Sequence, residues 1–371
     1  MIARRLVSRL ERDGSLTLRL RNEEVGSLAA NALLLKVDAA PINPADLKAM
    51  LCSLEPDALY AVHDAAGEAL CGNLPPELAK AFGWRLGVDM PLGNEGTGIV
   101  IAAGEADSAQ QLIGKRVSTA TRGMYSDHCI VDCNDCLVLS SSSPVELCAA
   151  AFVNPMTALA MLETMHNGGH NGLLLTAAAS NLGKMVNRLC EAEGVPLVNI
   201  VRSDRARDAL LELGADHICN SSDPNFRDHL INALVETGAT IAFDAMGGGA
   251  LAGQILHAME DALARSAGIS GPYGSKIGKQ LYFFGGLDPA PVTFWRNFGM
   301  AWNIGGWLLQ SELKKFSPAK VAAMKGYVVD RLDDIFSSEF AGTIALEQML
   351  QPDTLQACMG IRTGGKWLVR P

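Results

Sequence analysis

The sequence predicts an α/β protein in which an irregular, partly antiparallel β-barrel precedes a doubly wound parallel sheet. Three observations predict it. From about Phe152 onward, short apolar runs alternate with helical stretches, the rhythm of parallel strands buried on both faces. Before that, from Ser15 to Val37 and from Gly93 to Leu139, short β-type segments alternate with Gly, Asp and Asn turns, as in an antiparallel barrel. A chain of 371 residues exceeds what one core usually supports. The expected division is therefore 1–152 with 318–371 as one domain and 153–317 as the other.

Within the first domain, a turn at Asn134-Asp135 separates two strands, and Ser140–Ser143 reads as a loop. The second domain opens its strand series at Leu173–Thr176 and continues through Leu197–Val201, His217–Cys219, Thr240–Phe243 and Leu281–Gly285. Ser317-Pro318 then punctuates the chain, Ala319–Ile335 is a helical stretch, and Gly365–Val369 returns to the first domain. Neither an internal repeat nor a further low-complexity tract is present.

Between Gly172 and Asp204 an apolar run, a small-residue turn, a helix and a second apolar run follow one another. This is a strand–turn–helix–strand unit, and it points to a nucleotide. Ala177, Ala178, Ala179 and Ser180 keep bulk out of the turn, and Asn181, Leu182 and Gly183 open the helix, where free N–H groups and the positive dipole end favour a pyrophosphate. The strict G-x-G-x-x-G fingerprint is absent, since alanine, serine and asparagine occupy its glycine positions; an ordinary βαβ unit with close helix–strand packing is the competing explanation. At the tip of the second strand, Arg202 and Ser203 suit a ribose 2′-phosphate and so NADPH, whereas Asp204 just beyond suits a 2′-hydroxyl. A solvated surface arginine is the alternative.

With 49% hydrophobic residues and a formal net charge of −9, nucleic acid and anionic membranes are disfavoured partners. The opening stretch MIARRLVSRLERDG is charged throughout and unlike a signal peptide. No apolar stretch is long enough to span a bilayer, so a cytoplasmic location is expected. Nine cysteines without regular spacing read as reduced thiols.

Several segments, in order along the chain, resemble the medium-chain dehydrogenase/reductase superfamily, and within it the zinc-independent quinone oxidoreductase and enoyl-thioester reductase branch. Asn43-Pro44-Ala45-Asp46 is similar to its N-P-S-D segment, Gly93–Val100 to G-x-E-x-x-G-x-V, and Gly123–Asp127 to G-x-Y-x-E. Asn154–Ala158 resembles the opening of the cofactor domain and Leu213–His217 the L-G-A-D-x strand lead, while Gly285-Gly286 and Gly306–Leu308 resemble later cofactor-side loops. The resemblance implies a GroES-like catalytic domain beside a Rossmann-type cofactor domain, and a homodimer joined through edge strands. It also implies that Asn43 and Asp46 lie near the nicotinamide end of the cleft, Thr157 near the carboxamide and Gly285-Gly286 along the ribose. Asn43 as a turn residue and Thr157 bonded within its own helix are the simpler alternatives.

Where metal-dependent members carry a Cys and the His of a G-H-E segment, this chain has Asp46 and Asn94. A neutral amide is a poor zinc ligand, so no metal is expected. Cys129, Cys133, Cys136 and Cys148 with His128 are too irregularly spaced for a structural zinc lobe. Between Asp46 and Gly93 the chain also carries an insert, 47–92, longer than the family's connection. It contains Tyr60, a candidate proton donor by analogy with enoyl-thioester reductases, with His63 on the same face if the segment is helical. The function expected is zinc-independent, NADPH-dependent reduction of a quinone or other conjugated carbonyl. A 2-enoyl-thioester reductase and a non-catalytic NADPH-binding sensor are the alternatives.

Overall fold

The computed structural model describes residues 1–267, 271–360 and 365–371. The chain divides into two compact units, Met1–Val153 with Val328–Pro371, and Asn154–Tyr327.

The first unit opens with β1 (Ile2–Leu10), β2 (Ser15–Glu24), β3 (Ala32–Pro41), α1 (Pro44–Leu51), β4 (Tyr60–Asp64), β5 (Gly67–Asn73) and α2 (Pro76–Ala81). It continues through β6 (Asp89–Pro91), β7 (Gly96–Ala103), α3 (Asp107–Gln110), β8 (Arg116–Thr119), β9 (His128–Asp132), β10 (Cys136–Leu139) and α4 (Val145–Ala149). In the second unit α5 (Val153–Asn167) leads into β11 (Leu173–Thr176), α6 (Asn181–Glu193), β12 (Leu197–Val201), α7 (Asp204–Leu211), β13 (His217–Asn220), α8 (Phe226–Thr237), β14 (Ile241–Asp244) and α9 (Leu251–Ala267). Then come β15 (Lys279–Phe283), β16 (Trp302–Gly306), α10 (Leu309–Leu313) and α11 (Pro318–Asp330), before β17 (Phe340–Ala345), α12 (Pro352–Gly360) and β18 (Lys366–Arg370) complete the first unit.

Two sheets make the first unit, ordered β4-β5-β2-β1-β6 and β10-β8-β7-β3-β18-β17, with β9 also on β3. Their pairing is antiparallel except between β17 and β18. Alternating residues such as Leu6, Leu18, Leu33, Leu35 and Val117 turn inward and are fully buried in one core, as a sheet with one solvated face requires. The insert differs from a helical expectation at its centre. Tyr60–Asp64 is a strand paired with β5, so Tyr60 and His63 project from opposite faces.

The second unit holds a parallel six-stranded sheet ordered β13-β12-β11-β14-β15-β16. Every residue of β11, β12 and β14 is buried, which is why these strands read as predominantly apolar runs. β16 did not read that way, being an edge strand with two glycines and no fully buried residue. β15 starts and stops two residues earlier than the apolar run suggested: Phe284 N–H bonds the carbonyl of Asp244 at the end of β14, and Gly285 packs against Ala245 beyond it. Asn199, 1% exposed in mid-strand, exchanges two amide bonds of 2.9 Å with Asn187 of α6, so polar groups pin that helix to the sheet.

At the start of β15, the fully buried Lys279 Nζ lies 2.6 Å from Glu260 Oε2 on α9. Removing one partner of a buried pair leaves an uncompensated charge. Lys279→Met should cost about 3 kcal/mol in urea unfolding, and the double variant with Glu260→Leu should recover most of it.

Candidate functional site

In the second unit the strand order reverses between β11 and β14, the place where open sheets of this kind generally bind ligands. The carboxyl ends of both strands are tied together there. Thr176 Oγ1 donates to Asp244 Oδ1 at 2.7 Å and accepts the Ala245 N–H at 2.8 Å. Asp244, fully buried, also accepts the N–H groups of Met246 at 2.8 Å and Gly247 at 3.4 Å. Gly247 has a left-handed φ of 66°, and a Cβ on it would lie 2.3 Å from the Gly285 carbonyl. The loops after β14 and β15 thus meet backbone to backbone, with Gly286 following. Asp244 and Thr176 were not singled out from sequence; the signal was an acidic residue ending a strand directly before Ala245-Met246-Gly247-Gly248-Gly249.

The turn after β11 carries left-handed strain at Ala177, φ 50°, the conformation a fingerprint glycine would adopt freely. Ala178 and Ala179 face inward onto Val201, Ala206 and Leu210. Their small size lets the turn pack against α7 rather than clearing space outside. Ser180 caps α6, its Oγ accepting the Gly183 N–H at 3.1 Å. Gly183 corrects the expectation in part: a Cβ there would stand 2.0 Å from the Ala178 carbonyl oxygen. Its first duty is therefore close approach of helix and strand, the role of the fingerprint's third glycine. Asn181 is buried and Leu182 half-buried on the same first turn.

At the tip of β12, Arg202 and Ser203 are exposed. Arg202 makes no ion pair among the described residues, and its carbonyl accepts from Ser222 Oγ at 3.0 Å. Ser203 caps α7 by accepting the Ala206 N–H at 3.3 Å, a structural role that leaves its hydroxyl proton available. Asp204 is occupied by Arg207 at 3.0 Å and Asn220 at 3.2 Å. Thr157 lies on α5, 7% exposed.

In the first unit, Asn43 precedes α1 and joins Asp46 in a buried polar cluster. Asp46 Oδ2 accepts the Asn43 N–H at 2.8 Å and Oδ1 the Asn94 N–H at 2.9 Å. Asn43 Nδ2 donates to Glu95 Oε1 at 2.9 Å, Val153 N–H to Glu95 Oε2 at 2.8 Å, and Lys366 Nζ lies 3.6 Å from Glu95. Asp46 and Glu95 are both 0% exposed. Burial pushes the Asp46 carboxyl up to about 7, with the Glu95 charge adding to the rise and the two backbone donors and Lys366 opposing it. Tyr125, equally buried, donates to the Pro41 carbonyl at 3.2 Å. Burial, then the neighbouring Asp46, lifts its phenol well above the ordinary range. Tyr60 is not drawn into this cluster; it is 51% exposed on β4. Among the described residues, no group of three or more His, Cys, Asp and Glu is arranged to hold a metal ion.

A carboxyl raised in the folded state stabilises the fold while protonated. Asp46's contribution is therefore full below the unfolded value near 3.8 and lost as pH rises through about 7. Against Asp46→Asn, which is neutral throughout, the wild type should lose about 1 kcal/mol of unfolding free energy per pH unit between these limits, measured by urea titration. A difference independent of pH contradicts this.

No family model matches the chain. The mitochondrial enoyl-(acyl-carrier-protein) reductase of Arabidopsis thaliana is 26% identical over 284 residues, 74% of this chain and 63% of that protein. The match thus spans less than two thirds of that relative. A protein assigned as an NADPH:quinone reductase from Mesorhizobium loti superposes with a TM-score of 0.73 at 23% identity, over 100% of this chain and 98% of its own. A mutant form of enoyl thioester reductase from Candida tropicalis does so with a TM-score of 0.68 at 17% identity, over 100% of both. The chain shares the fold of these structures, with a doubly wound parallel sheet in one unit and largely antiparallel sheets in the other.

Proposed function

We propose that the chain is a zinc-independent, NADPH-dependent oxidoreductase that passes a hydride to a quinone or another conjugated carbonyl. The observation that carries this reading is the convergence, where the parallel strand order reverses, of the α6 N-terminus, the Thr176–Asp244 tie and the glycine contact between Gly247 and Gly285. A dinucleotide fits that end. The first turn of α6 offers N–H groups, among them that of Leu182, for a pyrophosphate. Arg202, exposed and without an ion pair among the described residues, and the Ser203 hydroxyl suit a 2′-phosphate. The resemblance assigns Thr157 to the carboxamide and Gly285-Gly286 to the ribose.

When bound, the coenzyme supplies the hydride; the chain supplies orientation. Asn43 and Asp46 are assigned to the acceptor side, and because each is fixed by buried hydrogen bonds they act as a rigid frame. The proton that completes reduction comes from Tyr60 or from solvent. Tyr125 is unsuited, being fully buried and a weaker acid than usual. Zinc is not required in this reading, since both oxygens of Asp46 are taken by backbone donors and Asn94 is a poor ligand. A homodimer joined through the β16 edge belongs to the same proposal.

The second reading, reduction of a 2-enoyl thioester, is favoured by the similarity to enoyl-(acyl-carrier-protein) reductases. Purified protein, NADPH and a panel of quinones and enoyl-CoAs separate the two by the loss of reduced nicotinamide absorbance. Turnover should survive exhaustive chelation. Tight coenzyme binding with no consumption on any acceptor points to a sensor instead. Arg202→Ala should weaken NADPH by about 1.5–3 kcal/mol and leave NADH nearly unchanged, as read by calorimetry; equal loss for both coenzymes removes the phosphate role.

A further inference from the structure

Arg85, in the insert, is 2% exposed, and no carboxylate pairs with it among the described residues. Its Nη1 donates to the Ala49 carbonyl and to Cys52 Sγ at 3.1 Å, and its Nη2 to the Ser8 carbonyl at 3.0 Å and Ser8 Oγ at 2.7 Å. Ser8 Oγ in turn donates to the Met50 carbonyl at 2.9 Å. Ala49 and Met50 form the last turn of α1, and Cys52 is its left-handed C-cap, φ 50°. The guanidinium therefore occupies the C-terminal pole of α1, where carbonyls lack helical partners and the dipole is negative.

Burying a cation without a counter-ion is costly, and burial lowers the Arg85 pKa from its ordinary value. A helix end offers the compensation that a carboxylate would otherwise give. Asn43 and Asp46 sit at the opposite end of the same eight-residue helix, a rod about 12 Å long. A shift at one end is carried to the other.

We propose that Arg85 is a positioning residue: by holding the C-terminal carbonyls of α1 against β1, it fixes where Asn43 and Asp46 stand. The inference rests on the proposed role of those two residues on the acceptor side. A misplacement of roughly 1 Å at a reacting centre costs on the order of a hundredfold in rate, so the cost should appear in kcat rather than in coenzyme affinity.

The test compares full-length Arg85→Ala with Leu33→Ala, a core truncation on β3 that leaves these hydrogen bonds in place. Amide hydrogen exchange over residues 43–52 should accelerate selectively in Arg85→Ala, and kcat per folded molecule should fall by about a hundredfold. Its Kd for NADPH should stay unchanged, and added methylguanidinium should restore kcat saturably. Leu33→Ala should loosen exchange broadly and keep its kcat per folded molecule. Unchanged exchange over 43–52, or a kcat loss that merely tracks the folded fraction and resists methylguanidinium, overturns the proposal. If Arg85→Ala does not fold, Arg85→Lys, which keeps the charge and loses the fork, takes its place with the exchange, kcat and Kd readouts. If the wild type reduces no acceptor, the proposed function fails, and the exchange measurement alone decides the role of Arg85.

Discussion

A buried carboxylate must be met by donors, and Asp244 is met by them only where β11 and β14 run side by side. Thr176 supplies one bond, and the chain turning past Ala245 supplies the others. Losing any of them leaves a desolvated acceptor, which costs more than the bond itself contributes. This requirement fixes the loop that presents Gly247 to Gly285, and it places the end of β11, and so the start of α6, at the reversal of strand order. The Asn187–Asn199 exchange then holds α6 to the sheet further along. Polar bonds in an apolar core thus set the geometry of the turn that opens α6.

The first unit follows the same logic with different groups. Glu95 accepts from Asn43, with Lys366 nearby, and Asp46 accepts from two backbone N–H groups, so the result is a fixed frame with one carboxyl pushed up to about 7. Arg85 braces the other end of the helix that carries this frame. Apart from Cys52, which accepts from Arg85, the thiols play no comparable part. None of the nine cysteines forms a disulfide, and burial pushes Cys190 and Cys219 up to about 12 and Cys129, Cys148 and Cys358 up to about 11, which makes those five poor nucleophiles.

The parallel sheet was legible because burial on both faces makes β11, β12 and β14 predominantly apolar, with the few polar residues they hold paired inside. The turn after β11 was legible for the same reason, since only small residues fit between it and α7. What escaped was decided by contacts that the local residue pattern does not specify, some near in sequence and some far. Gly183 read as a site for a ligand's approach, yet the nearest obstacle to a side chain there is the chain's own Ala178 carbonyl. Ser203 read as a phosphate ligand and is also a helix cap. Tyr60 and His63, spaced for one helical face, lie on a strand because β5 pairs with that segment across a tight turn. Arg85 gave no local signal, and that of Asp244 was only its place before a glycine run, since a single acidic or basic residue looks like solvated surface until partners 68 and 77 positions away are in place.

The most direct measurement of the central claim is a crystal structure of the chain saturated with NADPH. The pyrophosphate should lie within hydrogen-bond distance of the first-turn N–H groups of α6, with the 2′-phosphate beside Arg202. Phosphates bound elsewhere, with this turn bare, would contradict the account.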